Sequence, residues 1–483
     1  MDSNLSNKVV TASKWSSVTE IAAKLVTPVS TMILARLLAP DAFGVLVTAT
    51  IVISFAEIFS DAGFQNYLIY YNFDSREDQD RTTSVAFWSN TTIGLVIWIL
   101  CIIFSAQIAN IVGNTGYGEV IAVACVCIPL TSSYAVPMAL FKKELDFKTL
   151  FYIRMVGVLV PLFITIPLAY FTRSYWSLII GMIALNMINA VLIFYKSLWR
   201  PSFYYSMRKL KNMLSYCSWS LIESILTWCS SYIDLFIIAK VLNDAYLGIY
   251  RVSINTVGQI LGLITATFIP IIFSSLAKLQ TDNEKFKSAL YKFQKILGMF
   301  LIPLGFAIFV FRDQITYILL GSQWMQGAFL LGLWGFTNSF VIIFAHLASC
   351  VYRAIGKPKL AAITQLVNVI FIVPTVLISI QVSFDCLCIS RAFIRFTGVI
   401  MSFILLYRVV NVSPKKLLSN VLPEFSISLI VSIVAMGLLY LTNNFILQIV
   451  YMGVSICLYF IITYLIPKER KILYQIKSYI KPL

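Results

Sequence analysis

Apolar runs and charged connectors alternate along the whole chain, and the apolar runs are too long for a soluble fold. Fourteen can be placed, at 16–37, 43–69, 84–109, 117–141, 150–171, 175–195, 214–239, 246–276, 292–311, 326–351, 359–381, 384–408, 423–442 and 445–466. Each reaches about 20 residues, the length at which a helix crosses the hydrocarbon core of a bilayer. The pattern predicts an all-α integral membrane protein with 14 transmembrane helices.

Charge orients it. With basic residues within about four positions of a span's end counted in the adjoining connection, all but eight of the 37 Lys and Arg fall in the N-terminus, the even-numbered connections and the C-terminus. Four of the eight lie in odd-numbered connections (Arg36, Arg173, Lys240, Arg312) and four inside spans (Lys24, Arg251, Arg391, Arg395). Basic connections stay in the cytoplasm, so both termini are expected there, in a multi-pass protein of the bacterial inner membrane.

Composition then narrows the function classes. At 483 residues, 59% hydrophobic and 12% charged, the chain has no room for an ATPase domain, and its longest soluble stretch is about 20 residues. The net charge of +16 is spread over the cytoplasmic segments, which points to topology and anionic headgroups rather than nucleic acid. The first 14 residues are polar and the first span is full length, so no cleaved signal is expected. Nine scattered Cys and a lone His346 show no metal-ligand spacing, and a packed core is the expected setting for that histidine. Two segments read as basic amphipathic helices lying on the leaflet: 202–214 and the C-terminal KERKILYQIKSYIK.

An internal repeat is visible. Residues 33–46 (ILARLLAPDAFGVL) align without gaps on 237–250 (IIAKVLNDAYLGIY) at an offset of 204, pairing Arg36 with Lys240 and Gly44 with Gly248. A weaker echo joins ALFKKELDFK (139–148) to RAIGKPKL (353–360). The strong copies lie six spans apart. Two six-helix lobes in parallel pseudo-repeat around a central cavity are therefore expected, with two extra C-terminal helices. The boundaries are an N-terminal lobe at 1–200, a C-terminal lobe at 201–411, spans 13 and 14 at 412–466, and a basic cytoplasmic tail at 467–483.

Polar residues inside the spans repeat at three or four positions, drawing a stripe down one helix face. Span one carries Glu20 and Lys24, span two Ser54, Glu57 and Asp61, and span seven Glu223, Thr227 and Asp234. Span eight has Arg251, Asn255 and Gln259, and span twelve Arg391 and Arg395. A charge at mid-bilayer costs about 3 kcal/mol, so such residues face one another or a wet cavity. Lys24, Arg251, Arg391 and Arg395 would suit a diphosphate, Arg by its planar fork and Lys as a point charge. Glu20, Glu57, Asp61, Glu223, Asp234, Asn255 and Gln259 would hold sugar hydroxyls, balance the cations or take up a coupling ion. Asn186 with Asn189, and Gln365 with Asn368, read as interhelical hydrogen bonds.

ARLLAPDAFG (35–44), Asp61-Ala62-Gly63, WSLIIG (176–181), Asp234 followed by LGIY (247–250), and GKPK (356–359) appear in this order across the spans. In that respect the chain resembles the polysaccharide (O-antigen type) flippases of the multidrug/oligosaccharidyl-lipid/polysaccharide exporter superfamily. The resemblance implies a non-enzymatic transporter. It would move an undecaprenyl-diphosphate-linked oligosaccharide across the inner membrane by alternating access, for polysaccharide or lipopolysaccharide biosynthesis. Lys24 and Arg251 would be the diphosphate partners, and the last two spans a groove for the lipid tail. The implied partners are that lipid-linked oligosaccharide, membrane lipids, and polysaccharide polymerase or chain-length proteins. No cofactor is expected beyond a possible proton or sodium gradient. The lone Lys24 departs from the more arginine-rich first span of lipid II flippases, which disfavours a peptidoglycan precursor. Two rivals stand beside this reading: a cation-coupled drug antiporter of the same superfamily, which the intramembrane acids suggest, and an integral-membrane glycosyltransferase or polymerase. The short, nearly uncharged odd-numbered connections argue against the last.

Overall fold

The computed structural model describes residues 23–470 apart from 25, 62, 72, 114–115, 145, 281, 358 and 468, and leaves out the side chains at 215–220, 222–223, 267, 270, 274 and 277–278. Glu20, the N-terminal segment and tail residues 471–483 lie outside the described residues, as does the side chain of Glu223. Among the described residues every regular element is a helix, and 13 are long and apolar enough to cross a membrane. A shorter apolar helix, α1 (Val26–Leu37), precedes them. The chain is a multi-pass membrane protein.

The fold divides into two compact units, the first closing at Arg251 and the second opening at Val252. After α1 the first unit contains α2 (Pro40–Asp61), α3 (Phe64–Tyr70), α4 (Arg76–Ile103), α5 (Ser105–Val112), α6 (Gly118–Ala124) and α7 (Cys127–Lys143). There follow α8 (Phe147–Val160), α9 (Ile166–Thr172), α10 (Trp176–Lys196), α11 (Met207–Val241) and the start of α12 (Asp244–Lys278). Helices α2, α4, α7 and α10 interlock, and α11 lies along α2. Their shared core includes Val45, Ile53, Cys101, Ile121, Ile128 and Ile179. Side-chain caps start the helices after four polar connections. Ser75, Asp146, Ser206 and Asp282 each accept from a backbone N–H three residues on, meeting donors that a helix start leaves unpaired.

The second unit contains the rest of α12, then α13 (Asn283–Val310), α14 (Arg312–Leu319), α15 (Ala328–Val341), α16 (Leu347–Ala354) and α17 (Lys359–Ser379). It ends with α18 (Phe384–Ile394), α19 (Phe396–Val410), α20 (Pro414–Tyr440) and α21 (Phe445–Leu465). Helix α13 is its axis, packed on α15 and α20, while α21 lies against α20. Pro137, Pro303, Pro374 and Pro423 sit inside helices, which membrane bundles tolerate because neighbouring groups take up the freed carbonyls. Phe163, Phe171, Ile378 and Ile446 remain exposed, the kind of apolar surface a bilayer covers.

The separate interfacial helix expected at 202–214 is not there. Residues 202–206 are non-helical, and from Met207 the chain forms one 35-residue helix that runs on to Val241. No Gly or Pro interrupts those residues, so nothing breaks the helix between its basic first turns and its apolar body. The segment docks on α4 instead. Ser202 pairs with Ser84 (2.9 Å) and accepts from the Trp88 indole (2.8 Å), while Lys209 joins Asp78 and Thr82. His346, expected in packed core, ends the short π turn Ile342–His346, deep in the second unit but not sealed from its surface.

Candidate functional site

The helix boundaries around the two copies of the sequence repeat coincide. Helix α1 ends at Leu37 and α11 at Val241, and α2 begins at Pro40 and α12 at Asp244. Both pairs differ by the sequence offset of 204. The copies also touch. A Cβ on Gly44 would overlap the carbonyl of Asp244, and one on Gly248 would overlap the carbonyl of Pro40, the residue equivalent to Asp244. Glycine lets membrane helices approach this closely. Gly44 and Gly248 are buried, while Arg36 and Lys240 are exposed at the two helix ends. Tyr117, just before α6, hydrogen-bonds the Asp244 side chain and stacks edge-on against Tyr175 (5.8 Å).

Within the first unit the polar face of α2 meets α7 and α11. Glu57 is half-buried within hydrogen-bonding reach of Thr131 on α7 and neighbours Asp61 one turn on. Asp61 is held by Gln65 and faces Lys142, and one of its oxygens is buried without a donor among the described residues. Ser54 accepts from the indole N–H of Trp228 on α11 (3.0 Å), and the Trp228 ring packs on Phe55 (4.9 Å).

From there an aromatic ladder climbs α11. Trp228 stacks on Tyr232 (5.8 Å), and the Arg251 guanidinium lies over the Tyr232 ring (5.6 Å). Stacking takes up a face of a guanidinium and leaves its N–H edges to donate, the edges that grip phosphate oxygens in pairs. Asp234 is drawn into the fold: it is 4% exposed and accepts from Tyr250 (2.9 Å) and from the Leu235 N–H (2.9 Å). Lys24 is half-buried at the start of the described chain.

The remaining predicted residues belong to the second unit. Asn255 is exposed and Gln259 half-buried on α12. Arg391 and Arg395 share one ring, Trp334 on α15, at 5.3 and 4.3 Å. Arg395 donates to Asn338 (2.7 Å), and Arg391 is 7% exposed. Tyr134 donates to Asn186 (2.9 Å) and Thr397 to Asn368 (3.5 Å), each across two helices as expected. No group of three or more His, Cys, Asp or Glu suited to a metal occurs among the described residues. An apolar cavity of ≈ 190 Å³ lies beside α20 and α21, bordered by Phe300, Pro303, Val431, Ala435 and Phe460.

The structure thus groups Glu57 with Asp61, Arg251 with Tyr232, and Arg391 with Arg395. Trp228, Tyr232 and Trp334 were not anticipated. An aromatic in a span reads as lipid-facing, but the i, i+4 spacing of Trp228 and Tyr232 next to the polar stripe was the available signal.

Residues 33–329 match the family model described as polysaccharide biosynthesis protein. WzxC of Escherichia coli (strain K12), a lipopolysaccharide biosynthesis protein, is 23% identical over 326 residues, or 66% of this chain and 65% of the relative. ExoT of Rhizobium meliloti (strain 1021), a succinoglycan biosynthesis transport protein, is 21% identical over 305 residues, or 63% of this chain and 61% of the relative. The chain therefore matches less than two thirds of the length of either. Among solved structures, the lipid II flippase MurJ in an inward closed conformation is similar at a TM-score of 0.76 and 15% identity, covering 95% of this chain and 99% of that one. An inward-facing MATE multidrug resistance transporter of the MOP superfamily follows the same fold at a TM-score of 0.61 and 12% identity, covering 82% and 98%. At these identities the likeness is one of fold.

Proposed function

The chain belongs to the polysaccharide biosynthesis protein family, and from that premise we propose that it is a flippase for an undecaprenyl-diphosphate-linked oligosaccharide. The cargo crosses the inner membrane by alternating access, without covalent chemistry, to feed polysaccharide or lipopolysaccharide assembly. One observation carries the reading: the family match spans 33–329 and so takes in both repeat copies and Arg251. The names of WzxC and ExoT, and the MurJ-like fold, support the same class of cargo.

In this reading Arg251, oriented on Tyr232, and Lys24 hold the diphosphate, and Glu57 and Asp61 serve sugar hydroxyls or a coupling proton or sodium ion. The apolar cavity beside α20 and α21 takes part of the lipid tail. Both termini are cytoplasmic. Polysaccharide polymerase and chain-length proteins would receive the product. Reconstitution tests this directly. Proteoliposomes holding the full chain should translocate a short-chain polyprenyl-diphosphate oligosaccharide, and Lys24→Ala and Arg251→Ala should not. Absence of translocation by the unmutated chain, with proton-dependent ethidium export in its place, would overturn the proposal in favour of the drug antiporter.

A further inference from the structure

The aromatic ladder of the first unit runs further than Trp228, and its far end is open. Phe59 meets Phe55 edge-on (5.2 Å) and Phe55 meets Trp228 (4.9 Å). Trp228 stacks on Tyr232 (5.8 Å), where the Arg251 guanidinium closes the row (5.6 Å). Phe55 and Phe59 lie one turn apart on α2, as Trp228 and Tyr232 do on α11, so each pair shares a helix face.

The rings of this row are not equivalent. Trp228 lies between Phe55 and Tyr232, and Tyr232 between Trp228 and Arg251, so both spend ring surface inside the row. The hydrogen bond from the Trp228 indole to Ser54 (3.0 Å) fixes the middle of it. Phe55 and Phe59, at the other end, remain 43% and 38% exposed. Two hydroxyl-bearing residues of α11, Thr227 and Ser231, are exposed as well, Ser231 one turn beyond Trp228. All of them lie within the spanning stretches Pro40–Asp61 and Ser224–Val241. Lipid tails offer hydroxyls no partner, so an exposed surface that mixes rings with hydroxyls inside a span suits an occupant that is itself mixed.

A pyranose is such an occupant. Its C–H side is apolar and carries the positive ends of the C–H bonds, which meet the negative face of an aromatic ring, while its hydroxyls point outward from the rim. We propose that Phe55 and Phe59 form a sugar-binding platform, with Thr227 and Ser231 as hydroxyl partners. The cargo then lies along the row, its diphosphate at Arg251 and its sugars over the two phenylalanines. The inference rests on the flippase reading and on Arg251 as the diphosphate partner, and it adds where the glycan lies and by what contact it is held.

Binding of two probes to the purified full chain in lipid nanodiscs tests it: farnesyl diphosphate, and the same lipid carrying an N-acetylglucosamine disaccharide. The unmutated chain should bind the sugar-bearing probe about threefold to tenfold more tightly than the bare one, the worth of one aromatic contact. The Phe55→Leu/Phe59→Leu double variant keeps apolar bulk but no ring. It should bind both probes equally, and as tightly as the unmutated chain binds the bare one. Arg251→Ala should weaken both alike. Equal binding of the two probes by the unmutated chain, or an increment for the sugar that survives in the double variant, overturns the platform and leaves the cargo reading standing. Equal losses for both probes in the double variant would give this face to the prenyl tail and overturn it too. Binding of neither probe by the unmutated chain would remove the cargo reading and this inference together. If the double variant does not fold, Phe59→Leu, which keeps the Phe55–Trp228 contact, carries the readout: it should lose part of the increment, and a full increment overturns the proposal.

Discussion

Gly44 rests against the carbonyl of Asp244 as Gly248 rests against that of Pro40, so a sequence repeat meets its own copy through equivalent atoms. Both contacts are backbone to backbone, and neither partner can step aside by changing a rotamer. Gly44→Ala and Gly248→Ala should each lower stability by about 1–3 kcal/mol, the usual range for overpacking a tight contact. The double variant should cost less than the two singles together, because one separation of the helices relieves both clashes. Thermal unfolding of the purified chain checks this; a melting temperature equal to wild type in either single variant rules it out.

Arg251→Ala and Lys24→Ala should each abolish surface polysaccharide while the protein still inserts. Arg251→Lys should be partly active, since lysine keeps the charge but cannot donate in parallel pairs. Tyr232→Leu should weaken transport less than Arg251→Ala, as it removes only the ring that orients the guanidinium. Cell-surface polysaccharide measured alongside membrane-fraction protein separates these effects. Normal polysaccharide from both alanine variants would discard the diphosphate assignment.

The Ser54–Trp228 hydrogen bond ties α2 to α11. A double-mutant cycle with Ser54→Ala and Trp228→Phe should return a coupling of about 0.5–1.5 kcal/mol, the net worth of one intramolecular hydrogen bond. A coupling of zero would mean that the two side chains are merely adjacent.

Two truncations should behave differently. Ending the chain after residue 470 keeps Glu469, one of two buried carboxylates 2.8 Å from the Lys295 ammonium, and sets the melting temperature for comparison. Ending it after residue 467 removes a buried partner of Lys295 and should lower it. Equal melting temperatures would show that the ion pair does not anchor the segment.

Much of the fold was legible because it rests on local signals. The repeat was readable from matched Arg36/Lys240 and Gly44/Gly248, and its helix ends fall at the expected offset. The uninterrupted helix at Met207–Val241 was also in view, since its residues contain no breaker, but Arg208, Lys209 and Lys211 drew attention to the membrane surface instead. What could not be read depends on distant partners. Asp234 looked like a cavity residue until Tyr250 was found to bond it. Lys295 counted as one more basic connector residue, and nothing near it in sequence announces Glu424 or Glu469. Trp334 gathers Arg391 and Arg395 from a helix far earlier in the chain. Pairings of that kind are properties of packing, not of periodicity.

Helix α11 holds Lys209, clasped to Asp78 near its start, and Asp234, bonded to Tyr250 near its far end. At 1.5 Å per residue those two attachments are about 38 Å apart on a single hinge-free rod. A tilt imposed where Lys209 is held has no joint in which to dissipate, so the loops at one end of this unit and the rim at the other are geared together.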